Sequence, residues 1–139
     1  NLSDDMIEYY RRSDIEYNET TKSAGNDIMD ADVWLIGSPI YNSFFSSALK
    51  NLFESINYKK TPGKVAGITI LAAGNIGFIN VQTLITQLMS YFRVITNPKA
   101  VFLTTESIKE NSITDDDAKT RLREMVDETL DIASKLHQK

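Results

Sequence analysis

The segment at residues 33–42 constrains the fold of this chain more than any other. Residues 33–36 read Val-Trp-Leu-Ile, a continuous apolar run, and Gly37-Ser38-Pro39 follows at once. The run is too short for a helix and does not alternate with polar residues. This pattern is typical of a strand that is covered on both faces of a parallel sheet. We therefore predict a buried strand that ends at residue 36, with a loop directly after it.

Apolar runs and amphipathic segments alternate along the rest of the chain. The predicted strands are residues 33–36, 65–72 and 100–103. The predicted helices start at Ser46 or Ser47, near Val81 and at Thr114, where Thr114 and Asp117 form a capping pair. Upstream, residues 3–10 and 23–31 are predicted as short helices, separated by a loop. The order β-α-β-α-β-α predicts a parallel sheet with right-handed crossovers and one domain over residues 1–139.

Composition and charge exclude several classes of function. The net charge is −4, whereas a nucleic-acid surface needs clustered Lys and Arg. No apolar run approaches the roughly 20 residues of a membrane helix. The absence of cysteine excludes disulfides and thiolate metal sites, and fits a reducing, cytoplasmic setting. The single histidine, His137, stands at the chain end, so we expect no catalytic triad, no catalytic side chain and no metal site.

Two loops are expected to carry any ligand. In open parallel sheets, ligands lie beyond the carboxyl ends of the strands, which here means residues 37–45 and 72–78. Tyr41 supplies an aromatic face and Asn42 an amide, while Gly74 and Gly77 allow backbone N–H groups to approach a ligand closely. A planar heterocycle would fit such loops. Glycine and proline are also common in ordinary turns, and the full dinucleotide and phosphate-loop motifs are absent.

The first loop and its helix resemble a known family. Residues 31–42 read Ala-Asp-Val-Trp-Leu-Ile-Gly-Ser-Pro-Ile-Tyr-Asn, and residues 47–51 read Ser-Ala-Leu-Lys-Asn. This looks like the signature of the NADPH-dependent FMN reductases, in which a strand ends in a small residue, Pro-x-Tyr follows, and the next helix carries Leu-Lys-Asn. The resemblance covers residues 24–137, although only the loop and its helix are specific.

The resemblance implies a flavodoxin-like three-layer α/β sandwich with a parallel sheet. It also implies FMN as the cofactor, NADPH or NADH as the cosubstrate, and two loops that contact the flavin ring. The residues implied for cofactor binding are Pro39, Ile40, Tyr41, Asn42, Ser43, Ala73, Gly74, Asn75 and Gly77. The chain departs from the family at Ile40, where many members have Glu, and in residues 43–47, which replace the usual Gly-Ser-Ile-Pro-Gly. Its second loop also has fewer glycines than is usual.

The largest departure lies at the start of the chain. Family members open with a strand and a loop that holds the FMN phosphate at a helix N-terminus, and residues 1–139 contain neither. We therefore expect the first strand to be absent and the domain to be incomplete at its N-terminus. Either a segment upstream of Asn1 supplies the missing part, or another chain completes the domain. The lone edge of the strand at residues 33–36 favours an upstream segment.

The resulting hypothesis is an FMN-dependent NAD(P)H oxidoreductase. Its reduced flavin would serve a small-molecule acceptor: a second flavin, a quinone, an azo compound or a metal ion. A non-catalytic, flavodoxin-like FMN-binding module and an interaction domain without cofactor remain open as alternatives. We also expect a homodimer or homotetramer, with Phe44, Phe45 and Phe53 as exposed apolar residues that a partner would cover.

Overall fold

The computed structural model describes residues 19–138, with side chains from residue 22 onward. The predicted helix at residues 3–10 lies outside this range. The helices are α1 (Glu19–Asp30), α2 (Ser47–Glu54), α3 (Phe78–Tyr91) and α4 (Asp116–His137), with 3-10 turns at Tyr58–Lys60 and Thr105–Ser107. The strands are β1 (Val33–Tyr41), β2 (Phe44–Phe45), β3 (Val65–Ala72), β4 (Ile95–Thr96), β5 (Val101–Thr104), β6 (Ile108–Lys109) and β7 (Ser112–Ile113).

The sheet is parallel at its centre, as the alternation of strands and helices predicts. β3 lies between β1 on one side and both β4 and β5 on the other, and all of these pairs are parallel. β4 and β5 lie one after the other along the same edge of β3: Val65 and Ala66 pair with β4, and residues 69–72 pair with β5. The short strand β2 adds to the end of β1 in antiparallel orientation.

One face of the sheet carries the larger core. Trp34 and Ile36 of β1 and Ile68 and Ile70 of β3 belong here to one buried cluster, together with residues of α2 and α3. The buried residues of α3 recur every three or four positions, as expected for one face of a helix: Phe78, Val81, Ile85 and Met89. The partly buried Ile28 and Met29 of α1 pack against the same core. The Trp34 indole also donates a hydrogen bond to Ile28 O at 2.8 Å, which ties α1 to the sheet.

The opposite face is covered by α4. Met125, Thr129 and Ala133 of α4 are buried, and Gly67 of β3 leaves no room for a Cβ beside Met125 and Thr129. Leu136, in the last turn of α4, is exposed. The cap of α4 is Asp115, whose carboxylate accepts from Ala118 N at 3.0 Å, rather than the predicted Thr114.

β1 differs from its prediction in two ways. It runs on through Gly37, Ser38 and Pro39 to Tyr41 instead of ending at residue 36. It is also not covered on both faces, because Leu35 is 56% exposed on the side of the sheet where α4 packs over β3 and β5. Within residues 19–138, the outer edge of β1 has a neighbouring strand only at Ile40 and Tyr41.

Two smaller features were not predicted from the sequence. α1 begins at Glu19, inside the predicted loop; this start was missed because residues 19–22 carry no apolar spacing that would mark a helix. The β6–β7 hairpin is made of two-residue strands, too short to show a period, and turns at Glu110 and Asn111 with φ values of 48° and 61°. None of the helices within residues 19–138 has the length and apolar character required to cross a bilayer.

Candidate functional site

The two predicted ligand loops meet at one edge of the sheet. Pro39 near the end of β1 pairs in register with Leu71 near the end of β3, so both loops leave the sheet at its carboxyl edge. The side chain of Ile40 lies against the second loop: its Cδ1 atom is 3.6 Å from the position that a Cβ on Gly77 would occupy. The two predicted loops are therefore in contact at this point, although Ile40 and Gly77 lie 37 positions apart in sequence.

The first loop is a β-hairpin. β1 and β2 pair through Ile40 with Phe45 and Tyr41 with Phe44. The turn between them is made by Asn42 and Ser43, both at positive φ, 50° and 62°. Two consecutive residues of this kind are typical of a type I′ turn, which matches the twist of the strands it joins. The usual sequence signal, Asn-Gly, is replaced here by Asn-Ser, which explains why the hairpin was predicted as an irregular loop.

The outer side of the hairpin is exposed and aromatic. Tyr41 is 63% exposed and Phe44 is 46% exposed, and their cross-strand pairing places both side chains on one face. Asn42 and Ser43 at the tip are exposed as well. The prediction of exposed apolar area is correct for Phe44 but wrong for Phe45 and Phe53, which are each only 5% exposed because both pack into the main core.

A buried serine that the sequence analysis did not single out anchors the hairpin. Ser38 is 3% exposed. Its hydroxyl donates to Pro39 O at 2.9 Å and accepts from Ser46 N at 3.0 Å. Ser46, one of the two serines predicted as the N-cap of α2, is the cap, and its own hydroxyl accepts from Leu49 N at 3.2 Å. The one signal for Ser38 in the sequence is its position between the apolar run at residues 33–36 and Pro39.

The second loop has far fewer internal contacts. Ala73, Gly74, Asn75 and Ile76 are all exposed, and Ile76 is 90% exposed. Among the described residues, no backbone carbonyl accepts a hydrogen bond from the N–H groups of Gly74, Asn75 or Ile76. Gly77 ends the loop as the N-cap of α3, with φ 90°. These N–H groups are free to donate to a ligand at the same edge as Tyr41.

Ionisable groups contribute little to this surface. Within residues 37–46 and 72–78 the Tyr41 phenol is the single ionisable side chain. Two groups elsewhere have shifted pKa values: the hydrogen bond to Glu124 raises the pKa of Lys99, and the hydrogen bond from Lys119 lowers that of Asp116. Residues 19–138 contain no group of three or more His, Cys, Asp or Glu side chains that could hold a metal ion. The surface therefore offers donors and an aromatic face rather than acid–base groups.

A parallel sheet flanked by helices, with ligand loops at its carboxyl edge, defines a flavodoxin-like α/β protein. Solved structures agree with this fold. An oxidoreductase from Corynebacterium diphtheriae superposes with a TM-score of 0.73 and 16% identity, over 86% of this chain and 65% of that one. A WrbA-like flavodoxin from Agrobacterium tumefaciens superposes with a TM-score of 0.66 and 18% identity, over 85% of this chain and 74% of that one.

The sequence comparisons identify the family. The pattern of the family described as NADPH-dependent FMN reductase matches residues 1–108, and the chain belongs to this family. An NAD(P)H-dependent FAD/FMN reductase from Geobacillus thermodenitrificans is 27% identical over 126 residues, which are 89% of this chain and 68% of that protein. The chain thus spans about two thirds of the length of this relative and of the Corynebacterium structure. The expectation of FMN and NAD(P)H as cofactor and cosubstrate is confirmed at the level of the family.

The residues at the carboxyl edge fit a flavin. An isoalloxazine ring is planar and apolar, with a polar edge of carbonyl and nitrogen acceptors. The exposed ring of Tyr41 suits its plane, and the unbonded N–H groups at Gly74, Asn75 and Ile76 suit its polar edge. Gly74 has no heavy atom within 4 Å of its Cβ position, so the loop is open to solvent at this point. A donor set of this kind binds and orients a ring without adding chemistry of its own.

Proposed function

We propose that this chain carries the flavin-ring site of an FMN-dependent NAD(P)H oxidoreductase. The observation that carries the proposal is the meeting of the two loops, in which Ile40 of the hairpin lies against Gly77 of the second loop. The residues proposed to bind the cofactor are those that the family resemblance implies: Pro39, Ile40, Tyr41, Asn42, Ser43, Ala73, Gly74, Asn75 and Gly77. When bound, FMN would supply the hydride chemistry between NAD(P)H and an acceptor.

The chain's own residues would bind and orient the ring. Tyr41 would lie against the ring, and Asn42 would offer its side-chain amide. Gly74 and Asn75 would donate backbone N–H groups to the polar edge, where the absence of a Cβ at Gly74 permits close approach. Because the loops hold no carboxylate or histidine, proton transfer would be left to the cofactor, the solvent or residues outside them.

The open character of the surface bears on the acceptor. Tyr41, Asn42 and residues 73–76 are all exposed, so no wall of the described residues closes over the edge. This supports a small, planar acceptor that stacks in place of NAD(P)H, such as a second flavin, a quinone or an azo compound. We include quinone-reductase-like activity in the proposal on this ground. Metal-ion reduction needs no pocket, and is a further expected activity of a reduced flavin at an open site.

The proposal is tested with the purified protein and FMN. We expect FMN to bind, with quenching of its fluorescence, and NADPH or NADH to be oxidised when a quinone or free flavin is added. The control is Tyr58→Ala, which removes an aromatic ring outside the two loops. Tyr41→Ala should weaken FMN binding about tenfold, as expected for the loss of one stacking ring, and Tyr58→Ala should not. Equal affinities in the two variants would count against the ring site.

A non-catalytic FMN-binding module is the second candidate. The observation that favours it is the near absence of ionisable side chains from both loops. Such a protein would bind FMN with the same residues but would not oxidise NADPH in steady state. Measuring NADPH oxidation with the FMN-loaded protein separates the two candidates directly.

Self-association is also proposed. Tyr41, Phe44, Ile76 and Ile79 are large apolar side chains, each at least 46% exposed, on or beside the two loops. A partner subunit that covers them would exclude water from the ring site, which supports a homodimer or homotetramer. Sedimentation of the purified protein measures the oligomeric state, and Phe44→Lys should shift it towards the monomer. A cytoplasmic location stays a prediction.

A further inference from the structure

We propose that Ser38 is a positioning residue that fastens the hairpin in the shape required for the flavin ring. The inference rests on the proposed function for its ligand and on the contacts of Ser38 for its mechanism. Ser38 stands one residue before Pro39, at the foot of the hairpin. It is 3% exposed, so it cannot itself lie on the surface that meets a ligand.

The Ser38 hydroxyl joins the two ends of the loop. It donates to Pro39 O, where the loop begins, and accepts from Ser46 N, where the loop ends. These two hydrogen bonds, of 2.9 and 3.0 Å, close residues 39–46 into a ring through one side chain. We call this pair of bonds the clasp. The Ser46 hydroxyl continues the chain of bonds by capping α2 at Leu49 N, so the clasp also connects the hairpin to a helix.

The hairpin needs such support because its own ladder is very short. Only two residue pairs join β1 to β2, and the buried Phe45 holds β2 to the core at one of them. The turn carries Ser43 at φ 62°, a conformation that a residue with a Cβ adopts at some cost. Without the clasp, we expect the exposed pair of Tyr41 and Phe44 and the turn beyond it to open more often, while Phe45 stays in the core. Tyr41 and Asn42 would then lose their fixed orientation relative to the second loop.

The experiment compares two buried hydroxyls at opposite ends of the sheet. Ser38→Ala removes the clasp. Thr61→Val is the matched control, because Thr61 is fully buried and its hydroxyl also makes two hydrogen bonds, to Tyr58 O at 2.9 Å and Phe92 O at 2.5 Å. Both variants should be less stable than the wild type. Ser38→Ala alone should raise the Kd for FMN, by about tenfold, and change the shape of the bound-flavin absorption band.

A second pair of variants isolates one bond of the clasp. Ser46 has φ −60°, which proline also adopts, and proline has no N–H to donate to Ser38. Ser46→Ala loses the α2 cap but keeps this N–H group. Ser46→Pro should therefore bind FMN more weakly than Ser46→Ala, while Ser38→Thr, which keeps the hydroxyl, should bind like the wild type. Equal FMN affinities for Ser46→Pro and Ser46→Ala would overturn the proposal.

Amide hydrogen exchange in the FMN-free protein separates this inference from the proposed function. Ser38→Ala should speed exchange at Phe44, whose N–H lies in the hydrogen-bonded pair that closes the turn, and at Ser46, and Thr61→Val should not. If the wild type binds no FMN, the proposed function fails, and the exchange rates alone decide whether the clasp holds the hairpin. Unchanged exchange at both residues in Ser38→Ala would overturn the clasp, whatever the outcome of the FMN titration.

Discussion

The two ends of the sheet use their polar groups in opposite ways. At the amino end, buried polar side chains are bonded inside the protein: Thr61 to two carbonyls, Lys64 Nζ to Ala31 O at 2.6 Å, and Asn97 to α4. At the carboxyl end, Asn42, Ser43, Gly74 and Asn75 present polar groups to solvent. Under the proposed function, the amino end contributes stability and the carboxyl end contributes ligand contact, with Ser38 as the buried exception.

The amino end is best illustrated by Asn97, which fills the break between β4 and β5. Its backbone N–H bonds to Ala66 O, and its amide donates to Met125 O at 3.2 Å and to Thr129 Oγ1 at 3.0 Å. The amide oxygen accepts from Lys99 N at 2.9 Å. One fully buried side chain therefore joins the sheet, the break and α4. A buried polar side chain lowers the stability of the fold little while all its hydrogen bonds are made. Removing it leaves its buried partners without hydrogen bonds, which costs much more free energy.

The largest effect is expected for Asn97→Ala. The substitution leaves Lys99 N without its acceptor and opens a cavity beneath α4, so we expect a loss of about 3 kcal/mol in the free energy of unfolding. Urea denaturation measures this loss. Asn75→Ala, at the carboxyl end, is the matched control and should cost less than about 0.5 kcal/mol. If FMN affinity falls more in Asn97→Ala than in Tyr41→Ala under conditions where both are folded, the division between the two ends is wrong.

The sequence predicts β3, α2 and α3 better than it predicts the end of β1. β3 was predicted with its observed bounds because its residues are buried on both faces, so that every position is apolar or small. The helix near Val81 and the cap of α2, which was predicted at Ser46 or Ser47, were confirmed because each depends on contacts between neighbouring residues. Burial and helix capping can be predicted from a short stretch of sequence, because both depend on residues that are close together in the chain.

The end of β1 could not be predicted, because its reasons lie outside the segment. Val65 N bonds to Asp32 O, so the even-numbered residues of β1 direct their backbone groups to β3 and Pro39 directs its own away. The missing N–H of Pro39 therefore costs no bond to β3, and the strand continues through a residue that normally ends one. The position of α4, which leaves Leu35 exposed, is likewise set by tertiary packing rather than by residues 33–36.

An intermediate effect is expected for Gly77→Ala, at the junction of the second loop and α3. The new Cβ would lie 3.6 Å from Ile40 Cδ1, an ordinary contact, so space is not the obstacle. The cost comes from φ 90°, which residues with a Cβ rarely adopt, and should be about 1–2 kcal/mol. Gly74→Ala is the control, since its Cβ would meet nothing within 4 Å. Thermal unfolding should separate the two variants, and equal stabilities would show that the loop adapts freely to a side chain at Gly77.

The smallest effect is expected for Ser43→Gly, and its sign is opposite. Ser43 occupies the second turn position at φ 62°, where glycine pays no steric cost, and Asn-Gly is the preferred pair for a type I′ turn. We expect a gain of about 0.5–1 kcal/mol in the free energy of unfolding, measured by urea denaturation, with Ser47→Gly as a destabilised control in the first turn of α2.

Ser43→Gly also tests how far the hairpin at the carboxyl end depends on the clasp. A hairpin relieved of its strained turn should lose less FMN affinity when Ser38 is changed to Ala, so the double variant Ser38→Ala/Ser43→Gly should bind FMN more tightly than Ser38→Ala alone. If Ser43→Gly does not restore FMN affinity in the Ser38→Ala background, the clasp does not act by opposing the strain at Ser43.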